Sequence, residues 1–125
     1  MDLNEKIKSC YQAASNYPDL AKRLSEIGME SYTVDTASST ILYRFSEGEN
    51  VLHEGNINAR TISENFNKQK TIDAIRANQQ GKTDYPTFMN EIAEAGVRFY
   101  EATLCGSNKR VTYIGKGGFY EEKIP

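Results

Sequence analysis

Tryptophan is absent from this chain and histidine occurs once, at His53. Two cysteines, Cys10 and Cys105, lie far apart and outside any C-x-x-C spacing. One histidine and two distant thiols offer no recognisable zinc spacing, so no metal or cofactor is expected. The same two thiols cannot build a disulfide framework and suit a reducing compartment. Long hydrophobic runs are missing too. Met1-Asp2-Leu3-Asn4-Glu5-Lys6 lacks the apolar stretch of a signal peptide, and no segment approaches membrane-spanning length. These absences make a cytoplasmic protein without a membrane partner the expectation. Net charge is only −2. Nucleic-acid binding usually announces itself as a clustered basic patch at high pI, so a nucleic-acid partner is not expected either.

What the chain does have is an internal repeat. Tyr17-Pro18-Asp19-Leu20 leads through Leu24, Glu26 and Gly28 to Tyr32, and Tyr85-Pro86-Thr87-Phe88 leads through Ile92, Glu94 and Gly96 to Tyr100, at a constant offset of 68. Tyr, Pro, Glu, Gly and Tyr are identical between the copies, and Leu20/Phe88, Leu24/Ile92 and Met29/Val97 keep apolar character. The period exceeds those of the common solenoids, and two copies are too few for a stacked array. It reads as one supersecondary unit duplicated and closed on itself with pseudo-twofold symmetry. The 125 residues match one ordinary domain, in two repeats of about 1–57 and 67–125 with a linker between.

Each unit reads as helix, helix, then antiparallel strands. Helices are expected over about 3–14 and 68–80, the second capped by Asn67 and stopped by Gly81. Pro18 and Pro86 suit the first turn of a second helix, where a missing N–H costs nothing. Proline also disfavours helical geometry in the residue before it, which puts Tyr17 and Tyr85 outside the helix, at the corner. Leu20, Leu24 and Ile27, with Phe88, Ile92 and Ala95, form the apolar stripes, and Gly28 and Gly96 end both helices. The period then changes to two. Strands are expected over 29–35, 40–45 and 51–53, and over 97–104, 110–114 and 119–123. Arg60-Thr61-Ile62-Ser63, in the linker Gly55–Phe66, reads as a short extra strand. Helices covering one face of an antiparallel sheet give an α+β domain, with six strands in one continuous sheet.

Catalytic signatures are thin. No motif places a nucleophile beside His53, which reads as a strand residue at a sheet edge. Gly115-Lys116-Gly117-Gly118 has the glycines of a phosphate loop, but Phe119-Tyr120 continues as a strand and not as the required helix, so a hairpin turn is the better reading. The least ordinary constellation is the repeated corner. Tyr17, and Tyr85 with Lys82 and Asp84, place phenols beside polar groups at related positions. If the axis joins the corners, they line a shared groove with Glu26 and Glu94, a carboxylate pair able to divide acid and base roles. The plainer account makes Tyr-Pro a corner device and each glutamate a solvated helix-end residue.

The run Gln79-Gln80-Gly81-Lys82-Thr83-Asp84-Tyr85-Pro86-Thr87-Phe88, with Ala95-Gly96-Val97, Tyr100 and the ending Glu121-Glu122-Lys123-Ile124-Pro125, resembles the YbcV-like family of small bacterial proteins of unknown function. Some members are labelled "phage envelope protein", which implies a phage or prophage association. The resemblance spans nearly the whole chain and implies no activity. Asn78 stands where the family pattern has histidine, and Thr103 where it has an acid, which counts against a catalytic or metal role there. The leading expectation is a binding or assembly module without a catalytic motif, its partner a small molecule or another protein. The alternative is a ligand binder or enzyme with an acid/base site between the repeats. Residues 1–57 carry nine acids against five bases and residues 58–125 eight against ten, an asymmetry compatible with a head-to-tail homo-oligomer.

Overall fold

The computed structural model describes residues 1–55 and 59–125; part of the linker thus lies outside the described residues. Helices α1 (Leu3–Ala13) and α2 (Tyr17–Glu26) precede strands β1 (Met29–Asp35), β2 (Ile41–Phe45) and β3 (Asn50–His53). The same order returns as α3 (Lys68–Gln79), α4 (Tyr85–Glu94), β4 (Val97–Thr103), β5 (Arg110–Gly115) and β6 (Gly118–Lys123). The strands form one antiparallel sheet in the order β3-β2-β1-β4-β5-β6. The fold is α+β, a helix-helix-strand unit used twice.

Local chemistry explains the element ends. Asp2, Asn16, Asn67 and Asp84 each accept a hydrogen bond from the backbone N–H three residues on, capping all four helices. These caps correct the expected corner. Tyr17 and Tyr85 are the first helical residues, and the extended residues are Asn16 and Asp84. A capping side chain fixes the first turn strongly enough to override the steric bias before proline. Gly28 and Gly96 leave α2 and α4 at φ +94° and +86°, where a Cβ is strained.

Strand alternation sorts the sheet into two faces. One buries Met29, Tyr32, Val34, Tyr43, Phe45, Val97, Tyr100, Ala102, Val111 and Tyr113 beneath the helices. The helices meet it with Ile7, Leu24, Ile75, Met89 and Ile92, all nearly solvent-free. The other face carries no helix; Thr33, Leu42, Arg44, Leu52, Glu101 and Phe119 lie on it.

The linker forms no strand at residues 60–63. Its backbone serves other partners: Arg60 N–H bonds Ala37 O, and Ser63 and Asn67 N–H bond Ala93 and Ala95 O at the end of α4. Satisfying orphan helix carbonyls takes the donors a strand pairing would use. Phe66 packs beside Gly115 and Gly118, at the β5–β6 turn.

Candidate functional site: a tyrosine cluster at the pseudo-dyad

β1 and β4, the first strand of each copy, are hydrogen-bonded neighbours at the middle of the sheet. Their register is symmetric: Ser31 faces Thr103, Thr33 faces Glu101 and Asp35 faces Phe99. On the helix side the axis is flanked by Tyr32, Val34, Tyr100 and Ala102, of which Tyr32 and Tyr100 are equivalent in the repeat. Each phenol meets the tyrosine that opens the second helix of its own copy. Tyr17 Oη lies 2.5 Å from Tyr32 Oη, and Tyr85 Oη 2.9 Å from Tyr100 Oη. A third pair, Tyr11 and Tyr43, is 3.2 Å apart. Tyr113 packs on Tyr100 with ring centroids 5.3 Å apart.

The phenols act on one another across the axis. Burial holds Tyr32, Tyr100 and Tyr113 well above the usual phenol range; neighbouring phenols, Tyr17 among them, raise each further. Tyr17 is pushed up to about 12, chiefly by burial, with Tyr85 contributing. Burial also raises Tyr85, offset in part by the hydrogen bond from Tyr100 and by the Arg60 guanidinium. All are therefore neutral O–H groups at ordinary pH. Arg60 itself is held by Asn90 Oδ1 at 2.7 Å and Ser39 Oγ at 2.7 Å.

Extensive helix–helix contact occurs within each pair, α1 on α2 and α3 on α4. The pairs share far less contact with each other, which leaves a seam between them, and Tyr32, Tyr100 and Tyr113 lie on the sheet face the helices cover. Tyr11 and Tyr85 are 44% and 45% exposed. Tyr113 is only 6% exposed, and its hydroxyl has no hydrogen-bond partner among the described residues.

The structure brings Tyr17 and Tyr85 to this seam and does not bring Glu26 and Glu94. Those glutamates end α2 and α4, nine residues and about 13 Å along each axis from the tyrosines. Both are exposed. Glu26 borders a shallow groove of about 320 Å3 between α1 and α2, with Cys10 and Arg23. A second groove, of about 380 Å3, lies between Ile62–Glu64 and the sheet at Phe99 and Ile114. Neither groove is lined by a tyrosine. Asp84 is committed to capping α4, its carboxyl held low by the Thr87 bonds, and Lys82 is exposed in the α3–α4 turn. His53 is on edge strand β3, against the Tyr43 ring and 3.1 Å from Asn4 Oδ1. Lys116 and Gly117 form the two-residue turn between paired Gly115 and Gly118, a hairpin. No group of three or more metal-ligating side chains occurs among the described residues. No described helix is long and apolar enough to cross a membrane.

Sequence reasoning passed over Tyr11, Tyr32, Tyr43, Tyr100, Tyr113 and Arg60 as site residues. The signal was present for the strand tyrosines. They alternate in phase with Val34, Phe45 and Val111 on buried positions, and a buried phenol needs a hydrogen-bond partner that a phenylalanine does not.

The fold and the seam together define a duplicated α+β scaffold with a polar, aromatic centre on its symmetry axis. Residues 5–119 match the family described as "Protein of unknown function (DUF1398)", and the chain belongs to that family. No curated protein matches it.

Proposed function

We propose that this protein is a non-enzymatic binding module whose recognition surface is the tyrosine-lined seam at the pseudo-dyad. The single observation that carries the reading is Tyr113. Its ring is buried, while its hydroxyl bonds no described residue and is not among the oxygens sealed from solvent. The hydroxyl is thus uncommitted within the protein and free to bond a ligand. The acid/base alternative has little support: Glu26 and Glu94 are exposed at the far helix ends and His53 is tied to Asn4. A cytoplasmic location and a phage or prophage setting rest on the composition and the resemblance alone.

The test is a fragment screen read by NMR on ring-labelled tyrosine. Hits are expected to perturb Tyr17, Tyr85 and Tyr113 together. A screen whose hits all map to other residues, or which finds none, overturns the seam as a binding surface.

Self-association is the second reading. It is favoured by the opposite charge of the two halves and by Leu52 and Phe119, 57% and 66% exposed on the helix-free sheet face. Sedimentation equilibrium of the wild type and of Leu52→Ser/Phe119→Ser decides it, with a salt-sensitive dimer lost in the variant as the expected result. A monomer at all concentrations rules it out.

A further inference from the structure

We propose that the seam takes an oxyanion, a carboxylate carried on a small apolar body, through the hydroxyls of Tyr17, Tyr85 and Tyr113. The proposal rests on the seam being a binding surface and adds the chemistry of its ligand.

Tyr32 and Tyr100 are almost fully buried, and each hydroxyl has one partner. A buried O–H without an acceptor costs about 1–3 kcal/mol, more than an unfilled lone pair on an oxygen already bonded. Tyr32 therefore donates to Tyr17, and Tyr100 to Tyr85. Tyr17 and Tyr85 keep their own protons, and Tyr113 has committed neither proton nor lone pair among the described residues. Three donors stand free around the axis, two of them related by the duplication.

Three hydroxyl protons not spent within the protein, with the Tyr113 oxygen not sealed from solvent, suit an acceptor-rich ligand that replaces water. Burial keeps these phenols protonated, so each remains a donor at neutral pH. The electrostatic setting agrees. Helices α2 and α4 begin at Tyr17 and Tyr85, which brings the positive ends of two helix dipoles to the seam. Arg60 acts on the Tyr85 hydroxyl. The carboxylate acting on Tyr113, Glu122, is ion-paired to Arg76 at 2.9 Å and accepts from Tyr120 at 2.8 Å. Asp84 also stands at the start of α4, with its carboxylate engaged by Thr87 N–H. The seam walls are rings: Tyr85 packs on Phe88 at 6.1 Å and Tyr100 on Phe88 at 6.4 Å. Rings suit an apolar body better than a bare hydrated ion.

The absence of tryptophan gives a direct readout at the red edge of the tyrosine band, where neither the benzoate nor the benzamide ring absorbs. The probes are benzoate, inorganic phosphate, benzamide and tetramethylammonium. Benzoate is expected to give a saturable difference spectrum, weakened about tenfold or more in Tyr113→Phe, as loss of a hydrogen bond to a charged group requires. Leu52→Ser, exposed on the helix-free face of β3, should leave it unchanged. If Tyr113→Phe does not fold by circular dichroism, Tyr17→Phe at the helix start replaces it, with the same loss expected. Saturation by phosphate with benzoate silent overturns the carboxylate on an apolar body. Benzamide or tetramethylammonium binding as tightly as benzoate, with the same loss in Tyr113→Phe, overturns the oxyanion and leaves the seam as a binding surface. Silence from both anions also overturns it, and the tyrosine-labelled fragment screen then says separately whether the seam binds anything.

Discussion

Thr33 and Glu101 hold the same position in the two copies and face each other across β1 and β4, Thr33 Oγ1 donating to Glu101 Oε1 at 3.3 Å. A residue paired with its own repeat equivalent marks the pseudo-twofold axis, which passes between them on the helix-free face. The symmetry is broken at once by Arg44. Its guanidinium bonds Thr33 Oγ1 at 2.7 Å and Glu101 Oε1 at 3.4 Å, whereas its equivalent, Thr112, bonds Glu121. A carboxylate in one copy and a hydroxyl in the other let one arginine serve both.

That ion pair is two-fifths exposed on each side, so solvent screens most of it. A double-mutant cycle with Arg44→Met and Glu101→Gln should give a coupling of about 0.2–1 kcal/mol in urea unfolding, shrinking in high salt. A coupling several times larger, or one indifferent to salt, would show that the axis pair is dry and structurally central.

Gly28 and Gly96 should respond differently to the same substitution. Both lie at positive φ, so alanine is strained by about 1 kcal/mol at either site. At Gly28 the new Cβ meets only Ser46 Oγ, at 3.5 Å. At Gly96 it would lie 2.4 Å from Asn65 O, against linker backbone. Gly96→Ala is therefore expected to lower the urea midpoint clearly more than Gly28→Ala. Equal midpoints would mean that the linker is not packed on the end of α4 as described.

The same two glycines show how far the sequence could be read. Their shared offset, the Tyr-Pro pairs and the change of period after each made the repeat, the helix stops and a six-strand sheet legible, because those features depend on local backbone preference. The linker had no second copy to be compared with. Its Arg60–Ser63 run looks like a strand in composition, yet its donors go to Ala37 and Ala93, partners distant in sequence. The corner tyrosines were legible as a repeated pair. Their placement against Tyr32 and Tyr100 depends on the β1–β4 register, which no local pattern states. Glu26 and Glu94 are an identical pair as well. Helix length alone carries them away from the axis, so identity between copies marked symmetry and not a common site.

The two thiols should react in two phases. Cys105 is exposed, whereas Cys10 is buried between α1 and α2 and burial pushes its thiol up, with Arg23 opposing. Under native conditions a disulfide-exchange reagent is expected to titrate one thiol quickly and the second at least tenfold more slowly, with both fast in denaturant. Two equally fast thiols in the native protein would mean that the α1–α2 groove is open to the reagent.

The tyrosine cluster should set the alkaline limit of the fold. A phenol whose folded pKa exceeds its unfolded value keeps its proton longer in the native state. The unfolded chain then binds fewer protons over that window, and stability falls as pH rises. For Tyr17 the window opens near the ordinary value of 10.0 and closes at about 12. Tyr32, Tyr100 and Tyr113 shift in the same direction and steepen the loss. Below pH 10 these groups should contribute a constant amount. Phenolate absorbance followed against circular dichroism is expected to show most of the eight tyrosines ionising together with unfolding, in one cooperative step above pH 10. Tyr32→Phe and Tyr100→Phe should each cost about 1 kcal/mol at neutral pH through the lost hydrogen bond. Each should also flatten the alkaline decline, because one shifted phenol is removed. A smooth titration of all eight near pH 10 with the fold intact would contradict the buried, mutually bonded cluster, and with it the count of free donors on which the oxyanion site depends.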